Sequence, residues 1–319
     1  MKQRKSYPVN QSPLYKISNH KLLAKTLCVK PYTLKRVIKR GDKNYKLGST
    51  DNGRAIQIPK AQILRIHKRI NDLINRIEKP HYLVSGVKGR SHVYNAKMHI
   101  GDVAVAKTDI ERYYPSTTKE IIKKGFRKKF CCSEDIAETL ASLCTVSGHI
   151  PTGSPLSQSL SFIVNSPIFD EIDKYSKARN ITFSLYVDDL TFSGKTIPKH
   201  FLAHISNLLK KKRGYKCHKF RTYNRETEKV ITGVVVRQNG IDLKRTQKEI
   251  ISNLSRKKVY FSQPEKINDP KNIKYYQKFI GHLFSAGEIS PRYRQIGRTV
   301  VSERKHLGIQ AQNQNNIGT

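Results

Sequence analysis

Phe183-Ser184-Leu185-Tyr186-Val187-Asp188-Asp189-Leu190-Thr191-Phe192-Ser193 is the stretch on which the fold turns. Strand alternation sets Phe183, Leu185 and Val187 on one face and Ser184 and Tyr186 on the other. Two adjacent acids follow, and then a second strand-like run. The pattern reads as a β-hairpin with Asp188 and Asp189 at its tip. Two carboxylates this close repel each other, and apolar strands on either side leave little room for solvation. They are tolerated at low cost in a fully exposed, solvated turn, or where a cation neutralises them.

A third acid favours the cation. Val103-Ala104-Val105-Ala106-Lys107-Thr108-Asp109 is an apolar strand ending in Asp109, 79 residues before Asp188. Hard oxygen ligands on neighbouring strand ends suit Mg²⁺ that also binds substrate phosphates. Two such ions can activate an attacking hydroxyl and stabilise a leaving pyrophosphate.

The segments around the hairpin suggest an α+β lobe with a mostly antiparallel sheet. Residues 14–40 read as short basic helices. Strand-like runs near Tyr45 to Leu47 and Ala55 to Ile58 flank Thr50-Asp51-Asn52-Gly53, a strong hairpin signal. Ile63, Ile66, Ile70, Leu73, Ile74 and Ile77 recur at helical spacing. Helices are expected over 117–130, 133–144, 157–175 and 200–212, and strands over 181–187, 190–193 and 230–237. Beyond Gly240 the pattern turns helical, with Tyr276, Ile280, Leu283 and Phe284 on one face. The Gln- and Asn-rich tail from 310 is expected to be disordered.

Charge names the partner class. The 319 residues carry 61 Lys and Arg against 24 Asp and Glu, a formal net charge of +37. Such an excess supports strong, salt-sensitive nucleic-acid binding through counterion release. An anionic membrane surface is the rival, but no amphipathic anchor and no run of 18 apolar residues is present. The basic start Met1-Lys2-Gln3-Arg4-Lys5 lacks the apolar stretch of a secretory signal. Cys28, Cys131, Cys132, Cys144 and Cys217 form no C-x-x-C pair, so reduced thiols in a cytoplasm are expected rather than a zinc site.

Tyr186-Val187-Asp188-Asp189 resembles the Tyr-x-Asp-Asp signature of reverse transcriptases. Five further blocks resemble family elements in family order. Arg54 to Pro59 resembles the first fingers block. Gly89-Arg90-Ser91 with Asn95-Ala96-Lys97-Met98-His99 resembles the Asn-Ala-x-x-His element of bacterial retron enzymes. Thr108 to Ser116 resembles the motif of the first catalytic acid, and Pro151 to Ser157 the block that contacts template and nucleotide. Val230-Ile231-Thr232-Gly233 resembles the retron Val-Thr-Gly element with one extra residue.

The resemblance implies a right-hand polymerase: an N-terminal helical extension over 1–40, fingers and an antiparallel-sheet palm over 41–237, and a helical thumb over 238–309. It implies that Asp109, Asp188 and Asp189, with the backbone carbonyl of Ile110, hold two Mg²⁺ ions, for which Mn²⁺ can substitute. It makes Tyr114 the wall that excludes a 2′-hydroxyl and leaves Tyr113 to the core. Lys46 and Arg54 would clamp the triphosphate from opposite hairpin arms, and Gly153 would let the backbone approach the base pair. Asn95, His99, Arg256, Lys257 and Lys258 are expected to contact RNA.

The implied activity is RNA-templated DNA synthesis from deoxynucleotide triphosphates. The implied template is a cognate structured non-coding RNA, primed from a 2′-hydroxyl to give a branched RNA–DNA product. A role in anti-phage defence with a separate effector protein is implied too, and no fused effector is expected after the thumb. A group II intron maturase and a non-catalytic RNA-binding scaffold are the alternatives. The first lacks its expected extension here, and the second has no need of three acids. Some positions depart from the pattern. Ser157-Gln158 stands where Ser-Pro is common, Phe162 where Asn is frequent, and Arg221 falls where a Lys would protonate pyrophosphate, with Lys219 nearby. Arg holds its proton too tightly for that task, which leaves the donor unassigned.

Overall fold

The structure is a computed structural model that describes residues 6–50, 53–262 and 269–317. Asp51 and Asn52 of the expected turn, and the basic start Met1–Lys5, lie outside the described residues. The chain forms two compact units. One comprises Met1–Arg90 with Ala104–Thr222, and the other Ser91–Val103 with Tyr223–Thr319. The C-terminal unit thus begins at Tyr223 and takes in the short segment before the strand that carries Asp109.

The first unit opens with α1 (His20–Thr26), capped by the Asn19 side chain accepting from the Leu22 amide at 2.8 Å. Helix α2 (Pro31–Arg40) starts on a proline, whose fixed φ suits the first turn. Strands β1 (Tyr45–Ser49) and β2 (Ala55–Pro59) form the expected antiparallel hairpin, with Lys46 opposite Ile58. Helix α3 (Ala61–Asn75) buries its isoleucine stripe together with His67. After α4 (His92–Lys97), which belongs to the second unit, come β3 (Ala104–Ile110), the short α5 (Tyr113–Ser116), α6 (Lys119–Lys128) and α7 (Glu134–Leu143).

Helix α8 (Ser157–Lys177) runs through Pro167, which cannot donate to the carbonyl of Ile163. The Ser166 hydroxyl donates to that carbonyl instead, at 3.1 Å. Strands β4 (Thr182–Tyr186) and β5 (Asp189–Gly194), helix α9 (Phe201–Arg213) and β6 (Cys217–Tyr223) complete the unit. The four strands order β4-β5-β3-β6, with β5 antiparallel to both β4 and β3. Helices α8 and α9 contribute to the apolar core that the sheet buries, where Phe183 and Phe192 stack at 5.0 Å. Each side chain so buried contributes roughly 2–3 kcal/mol.

In the second unit, the expected single strand over 230–237 is two: β7 (Lys229–Ile231) and β8 (Val234–Arg237). Thr232 and Gly233 both have positive φ, 43° and 88°, and turn the chain between them. Strand β9 (Gly240–Leu243) adds to β8 before α10 (Arg245–Phe261), α11 (Pro270–Gly287) and α12 (Pro291–Ile317). Helix α12 runs through most of the tail expected to be disordered. Gln and Ala are good helix formers, and no proline interrupts them.

Candidate active site

The three acids meet through strand pairing. Asp109 is the register partner of Asp189 where β3 and β5 end, and the Ile110 amide donates to the Asp188 carbonyl at 2.9 Å. The β4–β5 turn places Val187 at φ 61°, an unusual backbone for a β-branched residue. A second chain segment holds it there. The Leu185 amide donates to the Tyr82 carbonyl (2.8 Å) and the Val84 amide to the Leu185 carbonyl (3.0 Å). The Val187 amide donates to Ser85 Oγ at 2.8 Å.

The carboxylates are half-buried and mutually repelling. Burial holds the Asp188 carboxyl above the usual carboxylate range, and the charges of Asp109 and Asp189 push it the same way. Burial also raises Asp189, against the pull of Lys107. Two ammonium groups offset the charge: Lys107 Nζ lies 3.3 Å from Asp189 Oδ2, and Lys219 Nζ donates to Asp109 Oδ2 at 2.8 Å. Among the described residues no three His, Cys, Asp or Glu side chains are grouped so as to hold a metal ion, and two of these three carboxylates are turned to lysines. The donor set nevertheless suits a hard divalent cation. It offers carboxylate oxygens on adjoining strand ends, and two of them sit where added positive charge would relieve a raised pKa.

Of the other expected residues of this unit, Tyr114 and Arg54 come within electrostatic reach of Asp188 and Lys219. Tyr113 is buried and donates to the Ser161 carbonyl at 3.1 Å. Tyr114 is half-buried, and burial with the charge of Asp188 pushes its hydroxyl up to about 12. Arg54 is exposed, and its charge acts on Lys219. Lys46 is exposed on the opposite arm, but its partner Ile58 lies four residues beyond Arg54, so the two positions are offset by roughly 13 Å of strand along the hairpin. Gly153 packs on β2: its amide donates to the Gln57 carbonyl at 3.2 Å, and a Cβ there would lie 2.7 Å from that oxygen. Thr152 adds a hydrogen bond to Gln57 Oε1 at 2.9 Å, and Ser154 meets the buried His67 at 2.7 Å. The loop is therefore fastened to both β2 and α3.

No protein-family model matches the chain. Curated relatives do. The retron Se72 reverse transcriptase of Salmonella heidelberg (strain 579083-10) is 31% identical over 157 residues, 47% of this chain and 41% of that protein. The retron Ec86 reverse transcriptase of Escherichia coli is 23% identical over 184 residues, 56% of this chain and 57% of its own. The retron Ec83 reverse transcriptase of the same species is 29% identical over 164 residues, covering 49% and 50%. Over about half its length the chain is similar to bacterial retron-type reverse transcriptases. It spans about half the length of the curated relatives it matches. Among solved structures, a foamy viral protease-reverse transcriptase in complex with double-stranded DNA is 16% identical with a TM-score of 0.45, over 80% of this chain and 38% of that one.

Two of the RNA contacts expected in the second unit are buried. Asn95 and His99 have no exposed surface. Asn95 Nδ2 lies 3.5 Å from Thr232 Oγ1, which itself donates to the His92 carbonyl at 2.8 Å. The two retron-like elements thus fasten α4 to the β7–β8 turn, and in this arrangement neither side chain presents an atom to RNA. Burial pushes His99 down to about 3, so it is neutral at physiological pH. Lys258 pairs with Glu303, whereas Arg256 and Lys257 are exposed.

Sequence reasoning missed Ser85 and Lys107. It named Lys219 only as a neighbour of the expected position, yet Lys219 is the lysine that reaches Asp109. Its φ of 55° breaks the alternation of β6, so counting along a regular strand misleads by a residue or two.

Proposed function

We propose that this chain is an RNA-directed DNA polymerase. It joins a primer hydroxyl to the α-phosphate of a deoxynucleotide triphosphate and releases pyrophosphate. The pairing of Asp109 with Asp189, one residue from Asp188, is the observation that carries the reading. Asp109, Asp188, Asp189 and the Ile110 carbonyl would hold two Mg²⁺ ions, or Mn²⁺ in their place. Bound there, the ions would supply activation of the attacking hydroxyl and charge neutralisation at the leaving group.

The side chains provide the rest. Arg54, with Lys46 further along the hairpin, receives the triphosphate. Tyr114 lies under the sugar and leaves no room for a 2′-hydroxyl. Gly153 lets the loop backbone approach the nascent base pair. Lys219 hands a proton to the departing pyrophosphate: it is exposed, it stands 2.8 Å from Asp109, and a lysine ammonium gives up a proton more readily than a guanidinium.

The template is a structured non-coding RNA made with the enzyme. Priming uses a 2′-hydroxyl of that RNA, and the product is a short DNA branched from it. The charge of +37 and the retron-type relatives support this partner. Arg256 and Lys257 stand exposed for phosphate contact. The complex acts in anti-phage defence with a separate effector protein. It works in the cytoplasm, in keeping with five free cysteines. No described helix is long and apolar enough to cross a membrane.

The test is to purify the protein with its bound nucleic acid, supply labelled deoxynucleotides and sequence the product. Label joined to one RNA through a 2′–5′ branch is expected. Incorporation that needs only a free DNA primer and no particular RNA would favour a generic polymerase.

A further inference from the structure

We infer that a basic cavity on the helical side of the first unit is a second nucleic-acid site, which takes a single-stranded RNA segment with its phosphates on the rim and a base on the floor. This rests on the reading of the chain as an RNA-directed polymerase and names a contact that the polymerase site does not supply. The cavity, about 660 Å³, lies among α6, α8 and the end of α9. It contains none of the residues assigned to polymerisation.

Its charge exceeds what the fold needs. Helix α6 carries two basic stripes. Lys119, Lys123 and Arg127 turn to α7, where Glu134 and Glu138 pair with them. Lys124 and Lys128 line the cavity, as well as the neighbouring surface beside Glu134, and among the described residues form no ion pair; nor does Lys211 at the end of α9. Six cationic side chains line the cavity against two carboxylates, Glu120 and Glu171, the latter bound to Lys212 at 2.5 Å. Basic residues near helix C-termini commonly do no more than offset the helix dipole. Two helix ends amount to about one negative charge, so an excess of about three positive charges remains.

The floor is apolar. Ile121, Val164 and Pro167 form part of it, and Gly125 lets α6 sit so close to α8 that a Cβ there would lie 2.5 Å from Val164 Cγ1. A concave site of this volume suits a nucleotide unit rather than a duplex. An A-form helix would offer phosphates and 2′-hydroxyls but no base face, whereas an unpaired nucleotide can lay its base on the apolar floor while Lys124, Lys128 and Lys211 meet its phosphates.

The test compares the full chain with a Lys124→Glu, Lys128→Glu, Lys211→Glu variant, using a single-stranded oligouridylate carrying 4-thiouridine as probe. Photo-cross-links are expected in peptides spanning 118–129 and 211–214 of the unsubstituted chain and are lost in the variant. The log–log salt dependence of binding should be shallower by about 2, from three phosphate contacts at roughly 0.7 each. Extension of oligo(dT) on poly(rA) should continue in the variant. Unchanged cross-links and an unchanged salt slope would overturn the proposal. Failure of the unsubstituted chain to extend oligo(dT) would instead count against the polymerase reading, with the cross-linking readout still standing. If the triple variant melts early, Lys124→Gln alone serves, with a slope change of about 0.7 expected and none overturning the idea.

Discussion

The amide of Val187 donates to the hydroxyl of Ser85, 102 residues earlier in the chain, at 2.8 Å. Val187 sits at φ 61° between the strands that carry the acids, so a side chain from another segment holds a strained turn in place. Ser85→Ala leaves that amide with no partner. The expected result is incorporation slowed about tenfold, with a stability loss of about 1–2 kcal/mol. Steady-state incorporation alongside a thermal melt measures both, and an unchanged rate would show that the turn holds itself.

Gly153 lies against β2 with no space for a methyl group. Gly153→Ala puts a Cβ 2.7 Å from the Gln57 carbonyl oxygen and pushes the loop from the hairpin. Overpacking of this kind costs about 1–3 kcal/mol. The KM for deoxynucleotides is expected to rise several-fold, more than kcat falls, if the loop meets the nucleotide as proposed. Kinetics with the two parameters resolved would reveal a variant altered in kcat alone, contrary to this account.

Lys219 and Arg221 make opposed claims on the proton donor's role. Lys219→Ala should slow the chemical step by about 10²-fold, the low end for a general acid. Arg221→Ala should leave it nearly intact. Single-turnover incorporation distinguishes them, and the reverse ranking would remove Lys219 from the mechanism.

His67 predicts an acid-labile first unit. Burial lowers its pKa from 6.5 to about 4, while it bonds Ser154 at 2.7 Å and the Leu143 carbonyl at 2.8 Å. A histidine with a depressed folded pKa favours the folded state when neutral. Its contribution is whole above pH 6.5 and declines as pH falls toward 4, by up to about 3 kcal/mol. His99, pushed down to about 3 in the second unit, acts with the same sign. Denaturant melts from pH 7 to 4.5 should show stability falling, with a shallower fall in His67→Gln. Identical slopes in the two proteins would contradict the assignment.

Much of the site was legible because its signals are local. Alternation over Phe183–Val187 followed by two acids defines a hairpin tip, and an apolar strand ending in Asp109 defines its neighbour. What stayed hidden depends on long-range pairing or broken periodicity. Ser85 offers no sign in sequence that it meets Val187. Strand β6 is mostly polar and half-exposed, and Lys219 at positive φ interrupts its alternation, so it did not read as a strand. The run at Val230–Arg237 looked continuous because Thr232-Gly233 is a short turn between β-branched residues. Asn95 and His99 were legible as a motif but not in their role. A polar side chain that braces a helix and one that touches RNA look alike in sequence, and burial separates them.

The central claim is that Asp109, Asp188 and Asp189 form one metal-dependent centre for RNA-templated DNA synthesis. Its most direct measurement is deoxynucleotide incorporation on a primed RNA template with Mg²⁺, comparing the unsubstituted chain with Asp188→Asn, Asp189→Asn. Both substitutions keep shape and remove charge. At least about a 10³-fold loss is expected, equivalent to roughly 4 kcal/mol of transition-state stabilisation, with RNA binding retained. Incorporation by the double variant at the rate of the unsubstituted chain would contradict it.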